Sequence, residues 1–221
     1  TRSAVMAKEK RYRLELMPLW NVFRQREARK NGELAVPLFL FREISYFPAM
    51  VHAEDDDALR LYLVLLRYYY QHQDIDLVVP HEELMRHLPA DRMYEVARVK
   101  MMVMETIERL DKRYELIKAF KIHADRIDVQ LRLPRDLKPF VSFPNSFFDE
   151  NYAKDLTARA IYAYGVILYR MQQSGQSPVW LGTEHNVEQD FPIVREEFRL
   201  GVQELRRTNL VEVFPFKMQE T

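Results

Sequence analysis

The feature that most restricts how this chain can fold is a pattern that occurs twice. A run from Ala58 to Gln73, ALRLYLVLLRYYYQHQ, is echoed about a hundred residues later by Thr157 to Gln173, TARAIYAYGVILYRMQQ. Both read as long helices rich in aliphatic and aromatic residues. Each follows a segment rich in Phe and Pro that reads as extended: Val36–Pro48 (VPLFLFREISYFP) and Phe140–Phe148 (FVSFPNSFF). Each is followed by a polar break, a few β-prone residues, a short helix, a longer helix and one or more strands. The echo is one of order, not of identity.

With 221 residues the chain has room for one large domain or two small ones. No apolar run reaches the roughly 18 residues of a membrane span, and no cysteine is present. These features lead us to expect a cytoplasmic protein without a membrane partner. The 33 Lys and Arg balance 33 Asp and Glu, so distribution matters more than the sum. Residues 1–30 hold nine basic residues against three Glu, and residues 31–57 hold one Arg against six acids. Leu16, Leu19, Trp20 and Phe23 fall at helical spacing, which predicts a basic helical arm over 1–35 closed by Asn31-Gly32.

In the first copy, Asp57 is placed to cap the helix opening at Ala58. A short helix follows from Pro80 to before Pro89, and a third helix from about Asp91 to Lys112. Val96, Val99, Val103, Ile107 and Leu110 mark its buried face. Met101, Met102 and Met104 extend apolar character around most of its circumference. Tyr114–Ile122 and Arg126–Leu133 read as a hairpin around His123-Ala124-Asp125. Residues 134–139 (PRDLKP) are the linker candidate. In the second copy Thr157 caps the first helix, Val179–Leu181 is a short strand, and Thr183–Asp190 is the second helix. The third helix runs from Pro192 to Thr208, with Val194, Phe198, Val202 and Leu205 toward the core, and Leu210–Phe216 is a strand.

Signals of catalysis are poor. His81-Glu82 lacks a second His four residues on, position 85 being Met. No nucleophile elbow, phosphate loop or dinucleotide fingerprint occurs. The acidic run Glu54–Asp57 lacks a ligand-spaced partner and reads as a cap or turn. We therefore expect no catalytic residue, no metal site and no cofactor.

The order of elements is that of a winged helix, given twice: an α+β chain, mainly α with small β-hairpins. The expected division is an arm over 1–35, a first winged helix over 36–133, the linker, and a second winged helix over 140–221. The segments FPNSFFDENYAKDLTARAIYAYGVILY and VREEFRLGVQELRRTNLVEV resemble tandem winged-helix proteins of the plasmid replication-initiator type. That resemblance implies sequence-specific binding of duplex DNA, in replication initiation or transcription regulation. Winged helices of this type place the third helix in the major groove. Here Arg195, Arg199, Gln203 and Arg206 lie on the outer face of that helix, beside Glu196. Arginine forks match guanine edges and phosphates, and Gln reads adenine. In the first copy Arg98 and Lys100 start the third helix, and Lys118, Lys121 and Arg126 belong to the hairpin, the candidate phosphate contacts. The alternative is a protein-assembly role, as a dimeric tandem winged-helix partner of a kleisin in chromosome-organising complexes. The methionine-rich helix of the first copy favours a homodimer or protein contact there.

Overall fold

The computed structural model describes residues 20–25, 33–87, 96–134, 137–149, 152–175 and 179–216. The fold is mixed α+β with small antiparallel sheets. A strand β1 (Trp20–Gln25) comes first. The first half then runs β2 (Glu33–Pro37), α1 (Phe39–Arg42), α2 (Phe47–His52), α3 (Asp56–His72), β3 (Asp76–Pro80), α4 (His81–His87), α5 (Val96–Lys112), β4 (Ile117–Ile122) and β5 (Arg126–Leu131). The second half runs β6 (Phe140–Pro144), α6 (Ser146–Asp149), α7 (Tyr152–Asp155), α8 (Ala158–Gln173), β7 (Val179–Gly182), α9 (Glu184–Asp190), α10 (Arg195–Arg207) and β8 (Val211–Phe216). The two lists agree element for element until the last strand.

The sheets show where they part. In the first half the order is β3-β5-β4, with the hairpin strand β5 in the centre. In the second half the order is β7-β1-β8. The central place that β5 fills locally is taken by β1, paired antiparallel with both neighbours from Trp20↔Phe216 to Gln25↔Val211 and from Asn21↔Gly182 to Arg24↔Val179. The expected helical arm is therefore corrected: Trp20–Gln25 is a strand. Pro18 lies just upstream, where it disfavours a continuous helix. Trp, Val and Phe favour a strand paired on both sides. The rest of the arm up to residue 32 lies outside the described residues, and Glu33–Pro37 is strand as well.

The segments expected to be extended before each long helix are extended only at their starts. β2 and β6 pair with each other, Leu34 opposite Phe143 and Val36 opposite Val141. Beyond them the chain turns into the short helices α1, α2, α6 and α7. This pairing joins the halves, and one continuous core runs through both. Leu59, Leu61, Leu63 and Leu65 of α3 are buried in it, as are Ile161, Tyr162, Tyr164 and Ile167 of α8. Tyr162 donates to the Phe41 carbonyl at 2.6 Å, which ties α8 to α1.

The acidic run Glu54–Asp57 holds the two halves together. The N-termini of α3 and α8 lie side by side, and each presents unpaired N–H groups and a positive dipole end. Asp56 accepts from the Ala158 amide at 2.6 Å, capping the helix of the other half. Asp55, not Asp57, caps α3: its carboxylate accepts from Ala58 N at 3.3 Å, because the helix starts two residues earlier than expected. Asp55 also accepts from Arg109 at 2.9 and 3.1 Å and from the Tyr114 hydroxyl at 3.0 Å. Asp57 pairs with Arg60 at 3.2 Å. The buried Arg60 reaches across to the Leu156 carbonyl at 2.5 and 3.0 Å. Glu54 bonds Arg159 at 3.0 Å. Burial raises the Asp56 carboxyl pKa, against the opposing pull of the Ala158 amide and Arg60.

Candidate nucleic-acid interface

The third helix of the second half is α10. Its start differs from the expectation: Val194 is the extended N-cap residue and Pro192 lies before the helix. Val194 is consequently 60% exposed and no part of the buried face, since helical phase does not extend to it. Phe198, Val202 and Leu205 are buried as expected. Gly201 sets the depth of the contact with α8. A Cβ there would stand 2.4 Å from the Arg159 carbonyl oxygen, so only glycine lets the two backbones approach this closely.

That packing sorts the acids of α10. Glu204 turns inward and accepts from Thr157 N at 2.8 Å and Thr157 Oγ1 at 2.6 Å, while the Thr157 hydroxyl caps α8. Glu197 pairs with Arg159 at 3.4 Å. Both acids are thus spent on the N-terminus of α8. At 100° per residue, Arg195, Arg199 and Arg206 fall close together on the outer side. Gln203 flanks them, half-buried, and Arg206 is exposed.

The arginines meet other acids there. Arg199 makes a two-pronged contact with Glu196, through Nε at 2.9 Å and through its second nitrogen. That bond holds the Glu196 carboxyl below its ordinary range and raises the Arg199 guanidinium. Arg195 lies 3.6 Å from Glu188 of α9. Glu184, at the start of α9, feels both Arg195 and Arg199, although burial dominates and raises its pKa. Sequence reading missed these two α9 acids. They sit seven or more positions from the arginines in the chain, and the turn between the helices brings them close.

The first-half candidates form a separate group. Lys100 of α5 donates to the Ala124 carbonyl at 2.5 Å and so fastens the helix to the hairpin tip. His81 N bonds the Asp125 carbonyl at 3.0 Å on the same tip. Lys118 and Lys121 are exposed on β4. A bulge between Ile117 and Ala119 accommodates Lys118, and Lys121 stands opposite Asp128. Arg126 is engaged by Asp128 at 3.3 Å and Asp125 at 3.8 Å, and Asp128 is bonded to His123 at 2.6 Å. Arg98 lies on α5, and its side chain falls outside the described residues.

Two of the three methionines of α5 face outward, and Met102 packs against the core. Met101 is 60% and Met104 40% exposed, while Val103, Ile107 and Leu110 point inward. The side chains of Val96 and Val99 lie outside the described residues. Elsewhere, a cleft of about 620 Å³ runs along α1 and the linker, lined by Phe39, Tyr46, Arg42, Arg132 and Lys138 among others. Its Arg42 lies over the Tyr169 and Phe191 rings, and Arg132 faces Glu115 at 3.5 Å. Among the described residues no three His, Asp or Glu stand together to hold a metal, and no helix is long and apolar enough to cross a membrane. No family model matches the chain, and neither a curated protein nor a solved structure matches it.

Proposed function

We propose that the chain consists of two winged-helix units in tandem and is a non-enzymatic protein that binds duplex DNA sequence-specifically, in replication initiation or transcription regulation. The helix α10 is the reading element: Arg195, Arg199 and Arg206 address guanine edges and phosphates, and Gln203 addresses adenine. Lys118, Lys121 and Arg126 on the first hairpin supply phosphate contacts, together with Arg98 and Lys100 of α5. The observation that carries this reading is the sorting of charge on α10. Its arginines share the outer face, while Glu197 and Glu204 are held against α8. On DNA, the phosphates take the place of Glu196 and Glu188 as anions for Arg199 and Arg195. Mobility shifts with random-sequence and genomic duplexes at two salt concentrations test it. We expect salt-sensitive binding that Arg195→Ala with Arg199→Ala weakens at least tenfold. Binding untouched by that pair removes α10 as the reading element. No binding below micromolar at low salt removes DNA as the partner.

The exposed Met101 and Met104 favour a second reading, a subunit that assembles with another copy or with a kleisin-type partner through α5. Light scattering at tens of micromolar distinguishes the cases for self-assembly: a dimer mass that Met101→Lys abolishes supports it, and a monomer mass removes it.

A further inference from the structure

The cleft along α1 and the linker has a lining that DNA binding by α10 does not use. Its floor is apolar: Leu38 is buried, and Phe39, Tyr46 and Leu133 are half-buried. The Phe39 and Tyr46 rings meet edge to face, with centroids 5.5 Å apart. Its rim is basic. Arg42, Arg132 and Lys138 line it, all exposed, and Glu43 is the carboxylate among the lining residues. Arg42 is held by the Tyr169 hydroxyl at 3.4 Å and by the Tyr169 and Phe191 rings, and among the described residues it pairs with no carboxylate. Arg132 faces Glu115 at 3.5 Å, an exposed pair of the kind that contributes little and exchanges readily for another anion. Burial raises the pKa of the Tyr46 hydroxyl, Glu43 and Glu115 add to the rise, and Arg132 opposes it. That hydroxyl therefore stays protonated at neutral pH and is able to donate. Backbone bonds fix the walls: Leu38 N donates to the Pro139 carbonyl at 2.8 Å, Arg132 N to the Leu116 carbonyl at 2.9 Å, and Tyr46 N to the Glu43 carbonyl at 3.2 Å.

We infer that this cleft binds a small molecule made of a flat ring and an anionic group, a carboxylate or a phosphate. The ring lies against Phe39 and Tyr46 over Leu38 and Leu133, and the anion meets Arg42, Arg132 and Lys138 at the rim. The Tyr46 hydroxyl supplies a neutral donor between the two. The volume of about 620 Å³ falls within the roughly 300–1,000 Å³ of small-molecule sites. Apolar walls with a few convergent polar groups are the lining such sites have, and walls already fixed by backbone bonds need little ordering on binding. The site joins both halves, since α1 and Arg132 belong to the first and Lys138–Pro139 lead into β6. It stands independently of DNA binding.

Titration calorimetry of the full chain tests it, with naphthoate (ring and carboxylate), adenosine monophosphate (ring and phosphate), naphthol (ring alone) and inorganic phosphate (anion alone) as probes. Naphthoate or adenosine monophosphate should bind with a Kd below about 1 mM and raise the melting temperature, and naphthol and phosphate should bind at least about tenfold more weakly. Whichever of the first two binds more tightly identifies the anionic group. Arg132→Gln with Lys138→Gln, both at exposed positions, should leave the melting temperature of the free chain unchanged. The same pair should weaken binding of the tighter probe about tenfold or more, the loss expected for a charged hydrogen bond. Tyr46→Phe, which keeps the ring, should weaken it by a smaller factor. If neither naphthoate nor adenosine monophosphate binds below about 1 mM, the site is overturned. Naphthol or phosphate binding as tightly as the tighter probe overturns the composite ligand. Affinity unchanged by Arg132→Gln with Lys138→Gln overturns the placement in this cleft.

Discussion

The two halves build the same kind of three-stranded sheet from different stretches of chain. In the first, β4 and β5 are joined by the three residues His123-Ala124-Asp125, so the central strand is supplied by its immediate neighbour. In the second, the central strand β1 precedes its partners β7 and β8 by more than 150 residues. A local hairpin forms with little loop-closure cost, whereas the distant strand is held only once the rest of the half is assembled. The difference gives the second half a sheet that depends on a strand from the other end of the sequence, Trp20–Gln25.

The place of β1 in the second sheet is tested most severely at Val22. Proline in a central strand removes a ladder bond from a place where both edges are paired. Val22→Pro should cost about 3 kcal/mol or more, read from the urea midpoint, and should match Val129→Pro in the central strand of the first half. A cost below about 0.5 kcal/mol, typical of a surface change, would mean that β1 does not lie between β7 and β8.

A smaller effect separates the two helix caps. Asp55 serves Ala58, Arg109 and Tyr114 together, whereas Thr157 serves Ala160 and is itself held by Glu204. Asp55→Ala should cost about 2–3 kcal/mol and Thr157→Ala about 1 kcal/mol. Equal costs would show that the Arg109 and Tyr114 contacts contribute nothing beyond a cap. At the contact between α10 and α8, Gly201→Ala forces a Cβ toward the Arg159 carbonyl. It should destabilise by about 1–3 kcal/mol and weaken DNA binding by tilting α10. An unchanged melting temperature would show that the close approach is dispensable.

The smallest effect is one of pH. His87 in the first half is buried against Phe148 of the second, and burial lowers its imidazole pKa despite Glu83 nearby. The unfolded chain then takes up a proton near the ordinary pKa, about 6.5, before the folded chain does. Stability is therefore full above that pH and is lost as pH falls below it. For one histidine the slope cannot exceed about 1.4 kcal/mol per pH unit. His81 is lowered by burial in the same way, so His87→Gln should flatten the acid limb in part. A slope unchanged by His87→Gln and His81→Gln together would place the acid sensitivity elsewhere.

Much of the fold was legible because it is local. The helices α3, α8 and α10 follow from apolar spacing, and the β4–β5 hairpin from two β-prone runs around a short polar turn. The strand β1 was not legible. Leu16, Leu19, Trp20 and Phe23 fit a helical stripe as well as Trp20–Gln25 fits a strand, and the partners that decide between them lie at the other end of the chain. The outward placement of Arg195 and Arg206 on α10 was readable from the sequence, but the direction of its acids was not. Whether Glu197 and Glu204 dilute the arginine face or leave it depends on where α8 lies. Which of the three methionines of α5 face outward was not legible either, because apolar character alone does not say which side of a helix meets the core.

On the proposed reading, α10 carries the sequence reading while the first half contributes phosphate contacts. Selection of bound sites from a random duplex pool, run with the full chain and two variants, tests it most directly. One enriched site is expected from the unaltered chain. Lys118→Ala with Lys121→Ala should keep the same site at lower affinity, and Arg195→Ala with Arg199→Ala should abolish the enrichment. An enriched site that survives the loss of Arg195 and Arg199 unchanged, or no enrichment at all, would contradict it.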